Sequence, residues 1–116
     1  CPEGWHLPSK SDWQVLATSL GGRTVAGGKL KETGTTYWNS PNTGATNESG
    51  MSIRAGGERD EIEFRLKGEY AVFWTSTSVN TLNASEVYFS YNSESLTYYD
   101  WHKVLYYSVR CVKNAE

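Results

Sequence analysis

The two cysteines of the chain, Cys1 and Cys111, lie near its two ends. A bond between them would close almost all of the 116 residues into one loop, which constrains the fold more than any other feature. In the chain-entropy view, a loop of about 100 residues stabilises the folded state by about 4–5 kcal/mol. Two buried free thiols are the alternative. We favour the disulfide, which predicts an oxidising location such as the periplasm, the cell surface or the exterior.

The length and charge of the chain limit its class. A chain of 116 residues can form one domain with one modest core. The net charge is -2, and Lys and Arg are absent between Lys67 and Lys103, so we expect no nucleic-acid partner. No apolar run is long enough to span a bilayer, and we expect no membrane insertion. The chain begins without a methionine, so we expect a fragment of a longer surface protein, monomeric as a domain.

The segment LPSKSDWQVLATSLGG predicts a helix over residues 9–20. Ser9 is a good N-cap, and Asp12 three residues later suits a capping box. Gly21 and Gly22 provide a stop. The apolar positions repeat at helical spacing: Trp13, Leu16, Ala17 and Leu20. We expect this face to pack on a core shared with Phe64, Phe73 and Trp74.

Two less regular regions follow the first helix. Val25 and Leu30 could anchor a short second helix, although the glycines between them weaken it. Residues 34–60 show no periodicity and are rich in Gly, Asn, Thr and Ser. An irregular segment of this length in a small domain has a function or a packed structure of its own. We expect three large apolar residues to anchor it: Trp38, Met51 and Ile53.

The second half of the chain reads as strands. Residues 61–68 alternate as a half-buried strand with Ile62, Phe64 and Leu66 inward. Residues 70–77 are more continuously apolar than the preceding strand, which is typical of a central strand. Residues 84–92 alternate with one set facing the core: Val87, Phe89 and Tyr91. Residues 95–102 and 104–113 read as the last strands of an antiparallel sheet. Helices first and strands last predict an α+β domain.

Four ordered motifs carry a family resemblance across essentially the whole chain. They are CPEGWHLPSKSDWQVL at residues 1–16, AGGKLKETGTTYWNSPNTGATNESG at 26–50, FWTST at 73–77 and SVRCVK at 108–113. With them the chain resembles the Fibrobacter succinogenes major paralogous domain. That family occurs in surface and secreted proteins of Bacteroidetes and related bacteria. The resemblance therefore implies a bacterial envelope location.

The resemblance also implies a fold and a biological setting. It implies a single C-type lectin-like domain over residues 1–116, closest to the branch of the formylglycine-generating enzymes, whose helix start is similar to HLPSKSDWQ. Some domains of the family are variable proteins of diversity-generating retroelements, which rewrite asparagine codons into codons for Tyr, Ser, Asp and His. The mixture of these residues at 78–83, 86–95 and 97–107 is what such diversification would leave.

A tyrosine-rich stretch near the C-terminus is the candidate binding site. Tyr and Trp offer large contact areas with few rotatable bonds, and Ser and Asn add adaptable hydrogen bonds, as in antibody binding loops. A strand could not bury the consecutive residues 98–102 on one face, and the resemblance places them on the ligand surface of the fold. The predicted ligand-binding residues are Glu86, Tyr88, Ser90, Tyr98, Tyr99, Asp100, Trp101, His102 and Tyr106. The alternative is that tyrosines are simply good strand residues on a half-solvated sheet.

We expect no catalytic residue, metal site or cofactor. A nucleophilic cysteine needs an unpaired thiol and a base, and Cys1 and Cys111 are better explained as partners. His6, beside a helix start, is more typical of a structural hydrogen bond. Glu48 is the one carboxylate in the NTGATNESG loop, and one carboxylate makes a weak calcium site. The function we expect is non-enzymatic binding of a protein or glycan, as in an adhesin. A carbohydrate-binding accessory module and a structural module without a ligand are the alternatives.

Overall fold

The computed structural model describes residues 1–115, in which it contains two helices and seven strands. The helices are α1 (Lys10–Ser19) and α2 (Arg23–Leu30). The strands are β1 (Trp5–His6), β2 (Glu58–Arg59), β3 (Phe64–Arg65), β4 (Tyr70–Ser78), β5 (Asn83–Ser90), β6 (Leu96–His102) and β7 (Val112–Lys113). The predicted α+β class is therefore confirmed.

Helix α1 begins as the sequence predicts. The Ser9 side chain accepts from the Asp12 amide, and the Asp12 carboxylate accepts from the Ser9 amide, each at 3.0 Å. This reciprocal pair satisfies two of the amides that a helix start leaves without partners. Trp13 and Ala17 are buried, and Trp13 packs against Phe73 with ring centroids 5.9 Å apart. The apolar face of α1 is thus confirmed.

The two glycines of α2 have a packing reason. A Cβ on Gly27 would overlap the backbone oxygen of Ser95, and one on Gly28 would overlap that of Gly44. The Gly28 amide also donates to the Glu94 carbonyl at 2.9 Å. The helix therefore lies directly against two loop backbones, which only glycine permits. Tertiary contact offsets the low helix propensity of these positions.

The irregular middle segment is fixed by buried anchors. Trp38 and Ile53 are each 1% exposed, and the Trp38 indole donates to the Ile53 carbonyl at 2.9 Å. Met51 is half-buried against the core. Lys31 lies beneath this segment with its Nζ 5.2 Å from the Trp38 ring centroid. All three predicted anchors pack inward, so the segment has a packed structure of its own.

The main sheet is antiparallel with the order β4-β5-β6. β5 is therefore the middle strand of this sheet. The prediction that residues 70–77 form the central strand is wrong. The outer edge of β4 is nevertheless covered, because its carbonyls at Tyr70 and Val72 accept from the Gly57 and Ser108 amides at 2.8 and 3.0 Å. This cover explains why β4 is apolar on both faces.

Residues 61–68 do not form the predicted half-buried strand. The Asp60 carboxylate accepts from the amides of Ile62 and Glu63 at 2.8 Å each, which turns the chain inside the predicted strand. Only β3 remains, paired with β2. Ile62 is 88% and Phe64 76% exposed, so placing Phe64 in the core was wrong. Trp74 is also outside the core and stacks on Tyr107 with ring centroids 4.4 Å apart.

The two ends of the described chain meet. Cys1 and Cys111 form a disulfide with Cα atoms 5.8 Å apart, which confirms the predicted pair. Beside it β1 pairs with β7. The predicted long last strand over 104–113 is reduced to β7, because the preceding residues make only single bridges, at Tyr106 and Ser108. Neither helix found in residues 1–115 has the length and apolarity needed to cross a membrane.

Candidate ligand-binding site

The main sheet has one face packed on the helices and one turned away from them. On the packed face, the Phe89 ring meets the Trp13 ring of α1 edge-on at 6.0 Å. The strand registers place Trp74, Glu86 and Tyr99 in a row across β4, β5 and β6 on the opposite side. We call this side the outer face and define it by Val72, Trp74, Glu86, Tyr88, Tyr99 and Trp101.

A cavity of about 280 Å³ opens on the outer face. The main sheet supplies most of its wall, and the β2–β3 region closes one side. Its lining residues are Glu58, Leu66, Tyr70, Val72, Glu86, Tyr88 and Tyr99. The Tyr70 and Tyr88 rings meet edge to face with centroids 6.0 Å apart. The cavity thus combines three tyrosine rings and two apolar side chains with two carboxyl groups.

Glu86 is the unusual group of this cavity. The residue is only 6% exposed, and its Oε2 atom has no hydrogen-bond partner among the described residues. Burial raises the pKa of Glu86, a hydrogen bond from Tyr107 opposes the shift, and the charges of Glu58 and Asp100 add to it, so that the pKa rises to about 7. Near neutral pH, both the protonated and the ionised form of this carboxyl group are therefore well populated. A buried acceptor without a partner destabilises the fold.

The second carboxylate of the cavity is already neutralised. Arg65 donates to Glu58 at 3.3 Å and also lies 3.6 Å from the Asp60 carboxylate. On the other side of Glu86, burial followed by the hydrogen bond with Glu86 raises the pKa of the Tyr107 hydroxyl, which keeps it protonated. Glu86 is consequently left with one neutral donor and no cation in contact in the part of the chain that the structure describes.

Two exposed aromatic rings lie beside the cavity. Tyr99 is 53% and Trp101 40% exposed. Their ring centroids are 5.5 Å apart with the planes inclined by 35°. They stand on β6 two residues apart, so the alternation of the strand turns both to the outer face. Such a pair offers a broad, rigid contact area to a ligand.

The structure divides the predicted site residues between the two faces of the sheet. Glu86, Tyr88, Tyr99 and Trp101 share the outer face. Their neighbours Tyr98 and Asp100 point the other way, because β6 is a regular strand paired with β5 throughout. His102 ends the strand and is exposed, and its ring centroid lies 5.5 Å from that of Trp101. The predicted residues therefore do not all lie on one face of the sheet: Tyr98 packs against the core, whereas Asp100 and His102 are exposed.

The residues on the packed face have structural contacts. Tyr98 packs partly buried against the core, and the Lys10 Nζ lies 5.6 Å from its ring centroid. Asp100 accepts a hydrogen bond from the Ser85 hydroxyl at 2.7 Å. These contacts fix the register of β6 on β5. A direct role of Tyr98, Asp100 and His102 in binding stays a prediction.

Two further predicted site residues lie away from the Glu86 cavity. Ser90 is buried at the end of β5 and donates its hydroxyl hydrogen to the Asn92 side chain at 2.5 Å. Tyr106 is exposed and lines a neighbouring cavity, with the Arg59 guanidinium 5.9 Å from its ring centroid. Neither residue contributes to the lining of the Glu86 cavity.

Four lining residues were not predicted from the sequence. Tyr70 and Val72 were missed because residues 70–77 were predicted to be a central strand, with Trp74 on their own face assigned to the core. Glu58 and Leu66 carried no usable signal. Their position depends on the fold of the β2–β3 region over the sheet, and the pattern of residues 61–68 indicated a different structure.

The described residues contain no cluster of three or more His, Cys, Asp or Glu side chains that could hold a metal ion. In the loop considered for calcium, the Asn42 amide donates to the Glu32 and Gly34 carbonyls at 3.0 and 2.8 Å. The Asn47 side chain accepts from the Ser52 amide at 2.9 Å. The polar side chains of this loop therefore hold its own backbone in place.

The fold and the cavity define a class: a disulfide-closed α+β domain with an aromatic, carboxyl-bearing groove on one sheet face. A family model described as Fibrobacter succinogenes major domain matches residues 1–113, and the chain belongs to this family. No curated protein and no solved structure matches the chain.

Proposed function

We propose that this chain is a non-enzymatic ligand-binding domain displayed outside the cytoplasm, as in a bacterial adhesin, and that it binds through the outer face. The observation that carries the proposal is the exposed Tyr99–Trp101 pair next to the Glu86 carboxyl, whose Oε2 atom has no partner within residues 1–115. Buried polar groups without partners destabilise a fold. Exposed aromatic rings contribute little to its stability. Their combination on one face is typical of a surface kept for a partner.

The location in this proposal rests on the disulfide. Cys1 and Cys111 are bonded, and such bonds persist in oxidising compartments. Family membership supports display on the envelope or secretion. We further propose a C-type lectin-like fold, supported by the order of two helices, a packed irregular segment and a final antiparallel sheet. Diversification of the 78–107 region by a retroelement belongs to the same proposal, supported by its Tyr, Ser, Asp and His content.

A binding screen with matched variants tests the function. Fluorescently labelled domain is applied to intact bacterial cells, purified surface proteins and immobilised polysaccharides. The double variant Tyr99→Ser/Trp101→Ser is compared with Ile62→Ser/Phe64→Ser, which removes two even more exposed apolar side chains from the β2–β3 region. Removing anchor residues should weaken binding about 30-fold or more, and the control should bind like the unaltered chain. Equal binding by the Tyr99/Trp101 variant would overturn the proposal.

One observation favours a carbohydrate-binding module as second candidate. The Tyr99 and Trp101 rings form a shallow exposed platform, and such rings can stack on sugar faces as readily as they pack in protein interfaces. Retention on polysaccharides alone, lost in the same double variant, would select this candidate. Binding to surface proteins without retention on polysaccharides would exclude it.

A further inference from the structure

We infer that the cavity beneath Tyr99 takes a cationic side chain, the guanidinium of an arginine or the ammonium of a lysine, presented by a protein partner at the outer face. The inference rests on the proposed function and names the chemistry that this face selects. Glu86, buried in the cavity wall, has one oxygen without a partner within residues 1–115. A cation in the cavity would compensate the charge of this buried carboxylate.

The charges around Glu86 leave room for one more cation. Glu58 on β2 is paired with Arg65 on β3. Asp100 on β6 accepts from Ser85, and Tyr107 offers a hydroxyl. The cavity lining contains two carboxyl groups and, as far as the described chain extends, no Lys or Arg. The Glu58 carboxylate is thus paired with an arginine that lies outside the cavity lining. The Glu86 carboxylate has no cationic partner within residues 1–115.

The remaining lining suits the rest of a basic side chain. The Tyr70, Tyr88 and Tyr99 rings present electron-rich faces that attract cations. Leu66 and Val72 supply apolar surface for the methylene stem. The cavity of about 280 Å³ is at the small end for ligand sites and matches one side chain better than a large ligand.

A cation explains Glu86 better than a sugar does. Sugar hydroxyls would hydrogen-bond the carboxylate and stack on the rings, but they would leave its charge buried and uncompensated. A guanidinium or ammonium both donates hydrogen bonds and neutralises the charge. Binding should accordingly require the ionised carboxylate and weaken on acidification, because burial raises the pKa of Glu86 to about 7.

Amide NMR spectra of the isotope-labelled chain test this with small probes. The probes are N-acetyl-argininamide and its neutral analogue N-acetyl-citrullinamide, which has nearly the same shape. At about pH 8 the arginine probe should shift the amides of Glu86, Tyr88 and Tyr99 and saturate, whereas the citrulline probe should bind about tenfold more weakly or not at all. At about pH 5.5 the arginine probe should bind about 30-fold more weakly, since only about 3% of the Glu86 carboxyls are then ionised.

Variants assign the effect to the buried carboxyl. Glu86→Gln keeps the shape and removes the charge, and it should reduce binding of the arginine probe about tenfold or more. Glu63→Gln removes an exposed carboxylate from the β2–β3 turn and should leave binding unchanged. Equal binding of both probes, no saturable binding of the arginine probe, or full binding by Glu86→Gln would each overturn the inference. If methyl glycosides bind saturably at the same amides and the arginine probe does not bind, the cavity is a sugar site instead.

The cation site and the proposed function can each fail independently of the other. If the Tyr99/Trp101 variant loses its partner while the arginine probe fails, the outer face binds ligands but not through a cation in the cavity. If the arginine probe binds as expected while the same variant keeps its partner, the cavity is a cation site and the proposed binding face is wrong.

Discussion

Lys31 and Glu86 are both buried charged side chains, but their surroundings treat them in opposite ways. The Lys31 ammonium is fully enclosed and donates to the carbonyls of Thr43, Ser90 and Ser93 at 2.8, 3.0 and 3.0 Å. The Glu86 carboxyl has an Oε2 atom without any partner in the described structure. One charge is fully satisfied by the fold, and the other is not.

The difference separates a buried charge that stabilises the fold from one that destabilises it. Burial lowers the pKa of Lys31 to about 8, with Glu94 opposing, so the ammonium stays charged at neutral pH and ties the irregular segment to the end of β5. Burial raises the pKa of Glu86 to about 7. A group that destabilises the free domain in this way is best understood through a partner that compensates it.

The largest effect is expected from Lys31→Met. The variant keeps the side-chain volume but leaves three inward carbonyls without their donor, each costing about 1–3 kcal/mol. The unfolding free energy at neutral pH should fall by at least about 3 kcal/mol, measured by urea denaturation. Lys67→Met, at an exposed position, serves as control and should change stability by less than about 0.5 kcal/mol. A similar small loss for Lys31→Met would show that this ammonium is not structural.

Glu86→Gln should have the opposite sign. The pKa of Glu86 rises from 4.5 in the unfolded chain to about 7 in the folded one, so the folded state holds the extra proton between these values. The unfolding free energy contributed by this group therefore falls as pH rises through that window. At about 1.4 kcal/mol per unit, Gln should stabilise the domain by roughly 3 kcal/mol at pH 8 and by about 1 kcal/mol or less at pH 5.

Denaturation curves of the unaltered chain and of the Glu86→Gln variant at each pH measure this gain in stability. The contributions of all other titrating groups cancel in the difference. A loss of stability at pH 8, or a gain that does not depend on pH, would contradict the contrast between the two buried charges.

Tyr98 and Tyr99 extend the contrast to neighbouring residues. Tyr98 packs against the core and Tyr99 is largely exposed on the outer face. Tyr98→Ala should cost about 2 kcal/mol, below the full range for a buried ring because the side chain is only partly buried. Tyr99→Ala should stay within about 0.5 kcal/mol. Thermal melts of both variants decide the point, and equal costs would show that the two faces of β6 are not distinct.

The smallest effect is expected from Ile62→Ser and Phe64→Ser. Both side chains are largely exposed at the turn made by Asp60. Each variant should alter the unfolding free energy by only about 0.5 kcal/mol. A loss of unfolding free energy above about 2 kcal/mol in denaturant unfolding would instead support the buried strand that the sequence pattern predicted.

Part of the outer face could be predicted from local pattern. The alternation at residues 86–91 placed Glu86 and Tyr88 opposite Phe89, and the pairing of β5 with β4 and β6 agrees. The run 98–102 misled, because consecutive aromatics looked like one exposed surface. A regular strand sends alternate residues to opposite faces, so Tyr98 packs on the core and Tyr99 does not.

The sequence by itself determined the elements whose causes are local. The Ser9–Asp12 capping box, the apolar face of α1 and the α+β class follow from neighbouring residues, and Cys1 and Cys111 had only each other as disulfide partners. Only the tertiary structure decided that Glu58 and Leu66 close one side of the cavity on the outer face. It also decided that Gly28 serves a close backbone approach. The physical reason is that burial and the number of partners of a group depend on segments distant in the chain, which no local pattern contains.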